Sequence, residues 1–244
     1  MDSDPFVKRG PGKGSAKLFS NFFENFSPEK AYVLGFIWGD GHVSSDHVEV
    51  KASRDDLNEI YFLFEKFGFV KKDVKMRERQ SKEASELNIF GQNLAKQFLN
   101  FGFKDKSHSS PDELLKVIPE DLHPYWFRGY FDADGCITMN KFRGKCKRFT
   151  IASSLNQDWS FCEEVLNKLS VKFSIRRYVG KRGSGSSLSS FGRENIWKFH
   201  KFIYGSGLLS FGLSRKRIKF MDVLNYCNIR VRNSNKKFYI SQSK

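Results

Sequence analysis

The sequence predicts an α+β protein built from two copies of one unit, each running helix, hairpin, helix, hairpin, helix. An internal repeat is the first ground for this. SELNIFGQNLAKQFLNF (85–101) aligns without gaps on SSLSSFGRENIWKFHKF (186–202), so Ser85, Leu87, Phe90, Gly91, Phe98 and Phe101 each recur 101 positions later. The second ground is a pair of apolar segments, VLGFIWGDG (33–41) and FRGYFDADG (127–135), each ending in Asp-Gly and offset by 94. KAS (51–53) matches IAS (151–153) at 100, and FGFKDKS (101–107) resembles FGLSRKR (211–217) at 110. The drifting offset places insertions in loops and keeps the order of elements the same in both halves.

Each element follows from local pattern. Ser27 then Pro28 is an N-cap followed by proline at the first helical position, and His123-Pro124 opens the second copy. After the first Asp-Gly step, His42 to Val50 reads as a short hairpin. Asp55 to Phe67 then reads as a helix with Leu57, Ile60, Tyr61, Phe64 and Phe67 on one face. Val74 and Met76 alternate with Lys75, Arg77 and Arg79, a strand with one apolar and one cationic face. The second half carries Arg176 and Arg177 ahead of a turn at Gly183-Ser184-Gly185. Its first hairpin is longer and bears Lys141, Arg143, Lys145, Lys147 and Arg148. The 26 Phe, spread along the chain, and Trp197 are read as core. Residues 1–26 and 228–244 are expected to be basic arms flanking repeats at 27–118 and 119–227.

Charge narrows the partners. The 42 Lys and Arg against 27 Asp and Glu leave +15, which suits a polyanion, and nucleic acid first. No segment approaches the roughly 20 apolar residues of a membrane span, and the start MDSDPF is unlike a signal peptide, so an intracellular protein located with the genome is expected. Cys136, Cys146, Cys162 and Cys227 lack the close pairs of zinc modules.

The two Asp-Gly segments carry the chemistry. Gly35 and Gly129 let two such helices pack side by side, bringing Asp40 and Asp134 together at a pseudo-twofold axis. Two carboxylates at helix C-termini repel each other and oppose the helix dipole, an arrangement that divalent cations relieve. Hard oxygen ligands suit Mg²⁺, with the carbonyls of Gly39 and Ala133 available to complete the shell. A calcium loop beginning at Asp132 is excluded, because its sixth and twelfth positions are Ile137 and Arg143. The five histidines, His42 among them, form no ligand pattern.

These two segments resemble the motifs of the LAGLIDADG homing endonucleases in their single-chain, double-motif form, and the resemblance extends from about Ser27 to Phe220. It implies two αββαββα repeats related by a pseudo-twofold axis, motif helices at the interface, and antiparallel sheets forming a saddle over the DNA major groove. Asp40 and Asp134 are then the catalytic acids, holding Mg²⁺, with Mn²⁺ as a substitute, beside the scissile phosphates. Both strands are cut across the minor groove, leaving short 3′ overhangs. Lys106 and Lys216 fall where the family carries a basic residue near those phosphates, with Arg215 and Arg217 as alternatives to the second. Ser53 and Ser153 stand where a polar residue, often Gln, follows the second strand. Lys51, Lys75, Arg77, Arg79, Lys141, Arg143, Lys145, Lys147, Arg148, Arg176, Arg177, Lys181 and Arg182 are the expected DNA contacts. The first motif departs from the pattern, with Trp38-Gly39 where the second keeps Asp132-Ala133. A monomer acting on double-stranded DNA is expected, and an RNA-binding intron maturase of the same fold is the alternative. The start at Met1 and the ending SQSK point to a free-standing or intron-encoded protein rather than an intein.

Overall fold

A computed structural model describes residues 22–74, 84–139, 147–180, 183–205 and 211–225. The first repeat runs α1 (Pro28–Asp40), β1 (Gly41–Val43), β2 (His47–Ser53), α2 (Arg54–Glu65), β3 (Val70–Val74), β4 (Ala84–Phe90) and α3 (Gln92–Asn100). Helix α4 (Asp112–Val117) and a 3₁₀ turn (Glu120–Leu122) lead into the second. That repeat runs α5 (His123–Asp134), β5 (Gly135–Met139), β6 (Lys147–Ser153), α6 (Ser160–Lys168), β7 (Phe173–Gly180), β8 (Gly183–Phe191) and α7 (Arg193–Tyr204). A last helix, α8, covers residues 214–225. The two sheets are antiparallel, with the matching orders β1-β2-β4-β3 and β5-β6-β8-β7.

Ladder register corrects the repeat alignment by one residue. Gly41 faces Val50 and Val50 faces Leu87, while Gly135 faces Ile151 and Ile151 faces Leu188. Val50 is therefore equivalent to Ile151, so Ser53 corresponds to Ser154 rather than Ser153. A one-residue slip exchanges the two faces of a strand, which is why short sequence matches cannot settle it. The longer second hairpin is also present, with seven residues between β5 and β6 against three between β1 and β2.

Alternation then sorts the strands into faces. Val48 and Val50 face Ile89 and Leu87 under the helices, and Phe149 and Ile151 do the same in the second sheet. Aromatic rings fill both cores: Phe98 packs on Phe103 with centroids 4.9 Å apart, and its counterpart Phe199 stacks on Phe149 at 4.3 Å.

The seam between repeats is α1 against α5. Both helices are apolar nearly all round, and their buried residues run from Lys30 to Trp38 and from Tyr125 to Asp132. Glycine sets the distance. A Cβ built on Gly35 would fall inside the Trp126 carbonyl, and one on Gly129 would fall inside the Tyr32 carbonyl, so the two backbones touch at two symmetric points. Ser27 caps α1 as expected, its hydroxyl accepting from the Lys30 N–H at 3.2 Å.

Several expectations are revised. Phe22 and Phe23, in the stretch expected to be a basic arm, pack on Phe98. His123 does not cap α5: its Nε2 lies 3.0 Å from the carbonyls of both Leu115 and Ile118, and Leu122 holds the cap position without a side-chain bond. Gly183 to Gly185 belong to β8 rather than to a turn. Trp197 is 48% exposed and lies beneath the Lys201 ammonium instead of in the core. Cys136 and Cys162 are free thiols, and Cys146 and Cys227 lie outside the described residues. No helix among the described residues is long and apolar enough to cross a membrane.

Gly35→Ala is expected to lower the unfolding free energy by about 2–3 kcal/mol, since the added methyl forces the helices apart. Gly180→Ala, which meets nothing within 4 Å, is expected to change it by less than about 0.5 kcal/mol. Urea denaturation of the two variants checks the contrast, and equal midpoints would refute the close approach.

Candidate active site

Asp40 and Asp134 are the last residues of α1 and α5, and each helix is closed by the following glycine N–H, Gly41 to Ile37 O and Gly135 to Phe131 O. The crossing at Gly35 and Gly129 brings these ends together. A Cβ on Gly39 would lie 3.2 Å from Asp134 Oδ2, so the second carboxylate sits against the first helix end. Burial pushes both carboxyls above the usual range, and at Asp134 the Asp40 carboxylate adds to that push. Lys106 and Lys216 pull both back down.

The two lysines are not surface residues. Lys106 Nζ donates to the carbonyls of Ile37 at 3.4 Å and Trp38 at 2.7 Å, and also to that of Gly39. Lys216 is 4% exposed and donates to Phe131 O at 3.5 Å and to Gly135 O. Each ammonium therefore satisfies carbonyls freed at a helix C-terminus, where a cation also complements the dipole. Burial pulls both ammonium groups below the usual lysine range, and at Lys106 the two aspartates oppose that.

The same turn delivers both lysines. Phe101-Gly102 and Phe211-Gly212 place their glycines at φ +82° and +105°, a left-handed conformation that side chains rarely adopt. What lies beneath the two turns differs. In the first half Trp38 packs on Phe103 with centroids 5.1 Å apart and approaches Gly102. At the matching position Asp132 is 1% exposed, and its Oδ2 accepts from the Leu213 N–H at 2.8 Å and from the Tyr32 hydroxyl at 2.9 Å. Burial pushes the Asp132 carboxyl up to about 6, against the pull of those two donors and of Arg128. The Arg128 guanidinium stacks 4.5 Å from the Tyr204 centroid and 5.4 Å from that of Phe211. Asp132 escaped the sequence reading as a structural residue. Its signal was a carboxylate inside an apolar helix, on the same helical stripe as Arg128 four residues earlier.

Arg215 cannot replace Lys216, because it is spent on a bidentate pair with Asp56, Nε to Oδ1 at 2.5 Å and Nη2 to Oδ2 at 2.6 Å. The hydroxyl of Ser53 accepts from the Asp56 N–H as the cap of α2, and Ser153 Oγ donates to Gln157 Oε1 at 2.7 Å. Both serines thus serve the start of the following segment. His42 is exposed on β1.

On the sheet faces turned away from the helices, strand parity places Lys51 and Lys72 in the first repeat and Arg148 and Arg176 in the second. Lys51 is already paired with Glu49 at 2.7 Å and Glu86 at 3.0 Å. Lys72 was not singled out from the sequence. Arg177 leaves the group, since it lies on the opposite face from Arg176 and its Nη2 donates to Gln157 O at 3.2 Å. Lys147 begins β6 on the side of Phe149. Lys75, Arg77, Arg79, Lys141, Arg143, Lys145, Lys181 and Arg182 lie outside the described residues.

The donor set fits a hard divalent cation. Two carboxylates meet at a half-buried position where both are pushed above the usual range, a conflict that a bound cation would relieve. Among the described residues no third His, Cys, Asp or Glu joins them, which leaves the remaining positions of such an ion to backbone carbonyls, water and substrate oxygens. Of the two carbonyls expected to help, that of Gly39 already accepts from Lys106, while Lys216 bonds the residues on either side of Ala133 without taking the Ala133 carbonyl.

Paired repeats joined by glycine-packed helices, with two carboxylates and two lysines at the helix ends, define a double-repeat α+β protein with an acidic site at its seam. The chain belongs to the LAGLIDADG-like domain family, whose profile matches residues 27–101 and 122–204, more than half of its length. Among solved structures it is similar to a variant of I-DmoI in complex with its target DNA, nicked in one strand, in the presence of manganese. The TM-score there is 0.51 at 18% identity, covering 78% of this chain and 100% of that one. It is also similar to the meganuclease I-SmaMI bound to uncleavable DNA, with a TM-score of 0.53 at 15% identity, covering 86% and 92%. At these identities the likeness is one of fold. No curated protein matches the chain in sequence.

Asp132→Ala leaves the Tyr32 hydroxyl and the Leu213 N–H without their acceptor and is expected to cost about 2–4 kcal/mol of stability. Asp132→Asn retains an acceptor and is expected to stay within about 1 kcal/mol of the parent. Chemical denaturation separates the two, and a harmless alanine would show that the carboxylate does not hold the 211–216 segment.

Proposed function

We propose that the chain is a double-stranded DNA endonuclease that recognises a long asymmetric site and cuts one phosphodiester in each strand with a divalent metal, leaving short 3′ overhangs. The observation that carries this reading is the meeting of Asp40 and Asp134 at the seam, with a lysine seated on each helix end. Membership of the family and the DNA complexes among structures of the same fold support it.

Asp40 and Asp134 would hold Mg²⁺, for which Mn²⁺ substitutes, with the carbonyls nearest the helix ends. When bound, the ion supplies a water of lowered pKa and neutralises charge on the phosphate. The chain's own residues do the rest. Asp40 and Asp134 would each hold the metal near one scissile phosphate, so that each acid serves one strand. Lys106 and Lys216 hold protons at Nζ beside the carboxylates and offset negative charge that develops on the phosphate oxygens. Hydrogen bonds to the helix carbonyls fix both ammonium groups in advance, so no reorganisation is needed at the moment of reaction. Lys72, Arg148 and Arg176 on the outward sheet faces supply phosphate contacts, with Lys51 available on exchange of its acidic partners. The halves differ in hairpin length and in outward side chains, and two unequal half-sites follow. One chain contains both halves, so it acts as a monomer.

Incubation with a DNA library and Mg²⁺ is expected to give double-strand cuts, with nicking or no product for Asp40→Asn or Asp134→Asn and none in excess chelator. Full cutting by the double Asn variant would overturn the assignment of the acids. Tight RNA binding with no DNA cleavage would favour the maturase.

DNA affinity is expected to fall roughly a thousandfold between about 50 and 200 mM salt. Arg148→Ala and Arg176→Ala are each expected to reduce the salt slope by about one, as loss of one phosphate contact does. An unchanged slope would move those two residues off the DNA.

A further inference from the structure

We infer that each lysine of the site is aimed by the opposite repeat, Lys216 through Asp56 and Glu59 of the first and Lys106 through Gln157 and Ser154 of the second. The inference rests on the reading of Lys106 and Lys216 as cleavage residues.

Asp56 and Gln157 each lie a few residues beyond the second strand of their repeat, and both are largely buried, at 8% and 2% exposure. Both reach across the seam. Asp56, in the first turn of α2, takes both arms of Arg215, the residue next to Lys216, and Glu59 one turn on accepts the Ser214 N–H at 2.8 Å. Lys216 is thus preceded by two residues whose bonds go to the first repeat, although its own ammonium sits on the C-terminus of α5 in the second.

The mirror arrangement holds the other lysine. Gln157 Nε2 donates to Ser109 O at 3.0 Å, and the Ser154 hydroxyl donates to Ser107 O, directly after Lys106. Gln157 is in turn fixed by the Ser153 hydroxyl on its Oε1, while Nε2 also donates to Asp158 O at 2.9 Å and Arg177 bonds its carbonyl. Lys106 itself sits on α1 of the first repeat. The two clamps differ in chemistry and in the side of the lysine that they grip: a bidentate ion pair just before Lys216, and an amide to carbonyl bond just after Lys106.

Asp56 and Gln157 are therefore positioning residues, and each repeat influences cleavage at the lysine of its neighbour. A misplacement of about 1 Å in a reacting group costs up to roughly a hundredfold in rate, so loosening one clamp slows one strand selectively.

The test uses the full chain with each DNA strand labelled separately, under single-turnover conditions, and amide hydrogen exchange on the DNA-free protein. Lys106→Met and Lys216→Met first assign a strand to each lysine. Asp56→Asn and Arg215→Ala are expected to slow the Lys216 strand roughly tenfold or more and to speed exchange at residues 213–217 alone. Gln157→Ala is expected to do the same to the Lys106 strand and to residues 105–110, with Gln157→Glu, which keeps an acceptor but not the donor, failing to rescue it. The charge-reversed pair Asp56→Arg with Arg215→Asp is expected to recover part of the Lys216 strand rate. Equal slowing of both strands, or unchanged exchange in both segments, would overturn the clamps. Selective exchange changes in a protein that cuts no DNA would support the clamps and overturn the endonuclease reading instead.

Discussion

Two backbone contacts, Gly35 on the Trp126 carbonyl and Gly129 on the Tyr32 carbonyl, set the distance on which the site depends. Helices normally pack 8–10 Å apart, with side chains between them. Here the absence of two side chains lets α1 and α5 close until their C-terminal aspartates meet at one half-buried position. Any larger residue at either glycine would separate the carboxylates as well as the repeats, so packing and chemistry at this seam are one constraint.

That closeness creates an electrostatic problem, and the lysines are its local answer. Each carboxylate sits at the negative end of a helix dipole, next to a like charge and away from water. Lys106 and Lys216 bring a positive charge to each helix end and satisfy the carbonyls that the helices leave open. Their offset remains incomplete, since both carboxyls stay above the usual range. A site with unmet demand for positive charge is prepared to take up a divalent ion.

The repeats reach the same geometry by different chemistry. Trp38 supports the first lysine turn through ring packing on Phe103, whereas Asp132 supports the second through hydrogen bonds to Leu213 and Tyr32. The cross-seam bonds are likewise an ion pair from Asp56 and an amide bond from Gln157. The backbone architecture is thus retained in duplicate while its supporting side chains diverge.

From sequence alone the two repeats, the motif helices, the role of the glycines and the placing of Asp40, Asp134, Lys106 and Lys216 at the seam were legible. Local periodicity and self-similarity encode them, and the resemblance to a known family named the lysines. Tertiary structure decided what one-residue differences control. It moved the equivalent of Ser53 from Ser153 to Ser154, because strand register depends on partners distant in the chain. It separated Arg176 from Arg177, adjacent in sequence but on opposite faces of β7. It also withdrew Arg215 from the site and revealed Asp132 and Gln157 as buried polar supports, since a side chain's use is set by whichever group the fold brings within hydrogen-bond reach. Composition can announce a basic protein with paired acids, but only packing assigns each charge its partner.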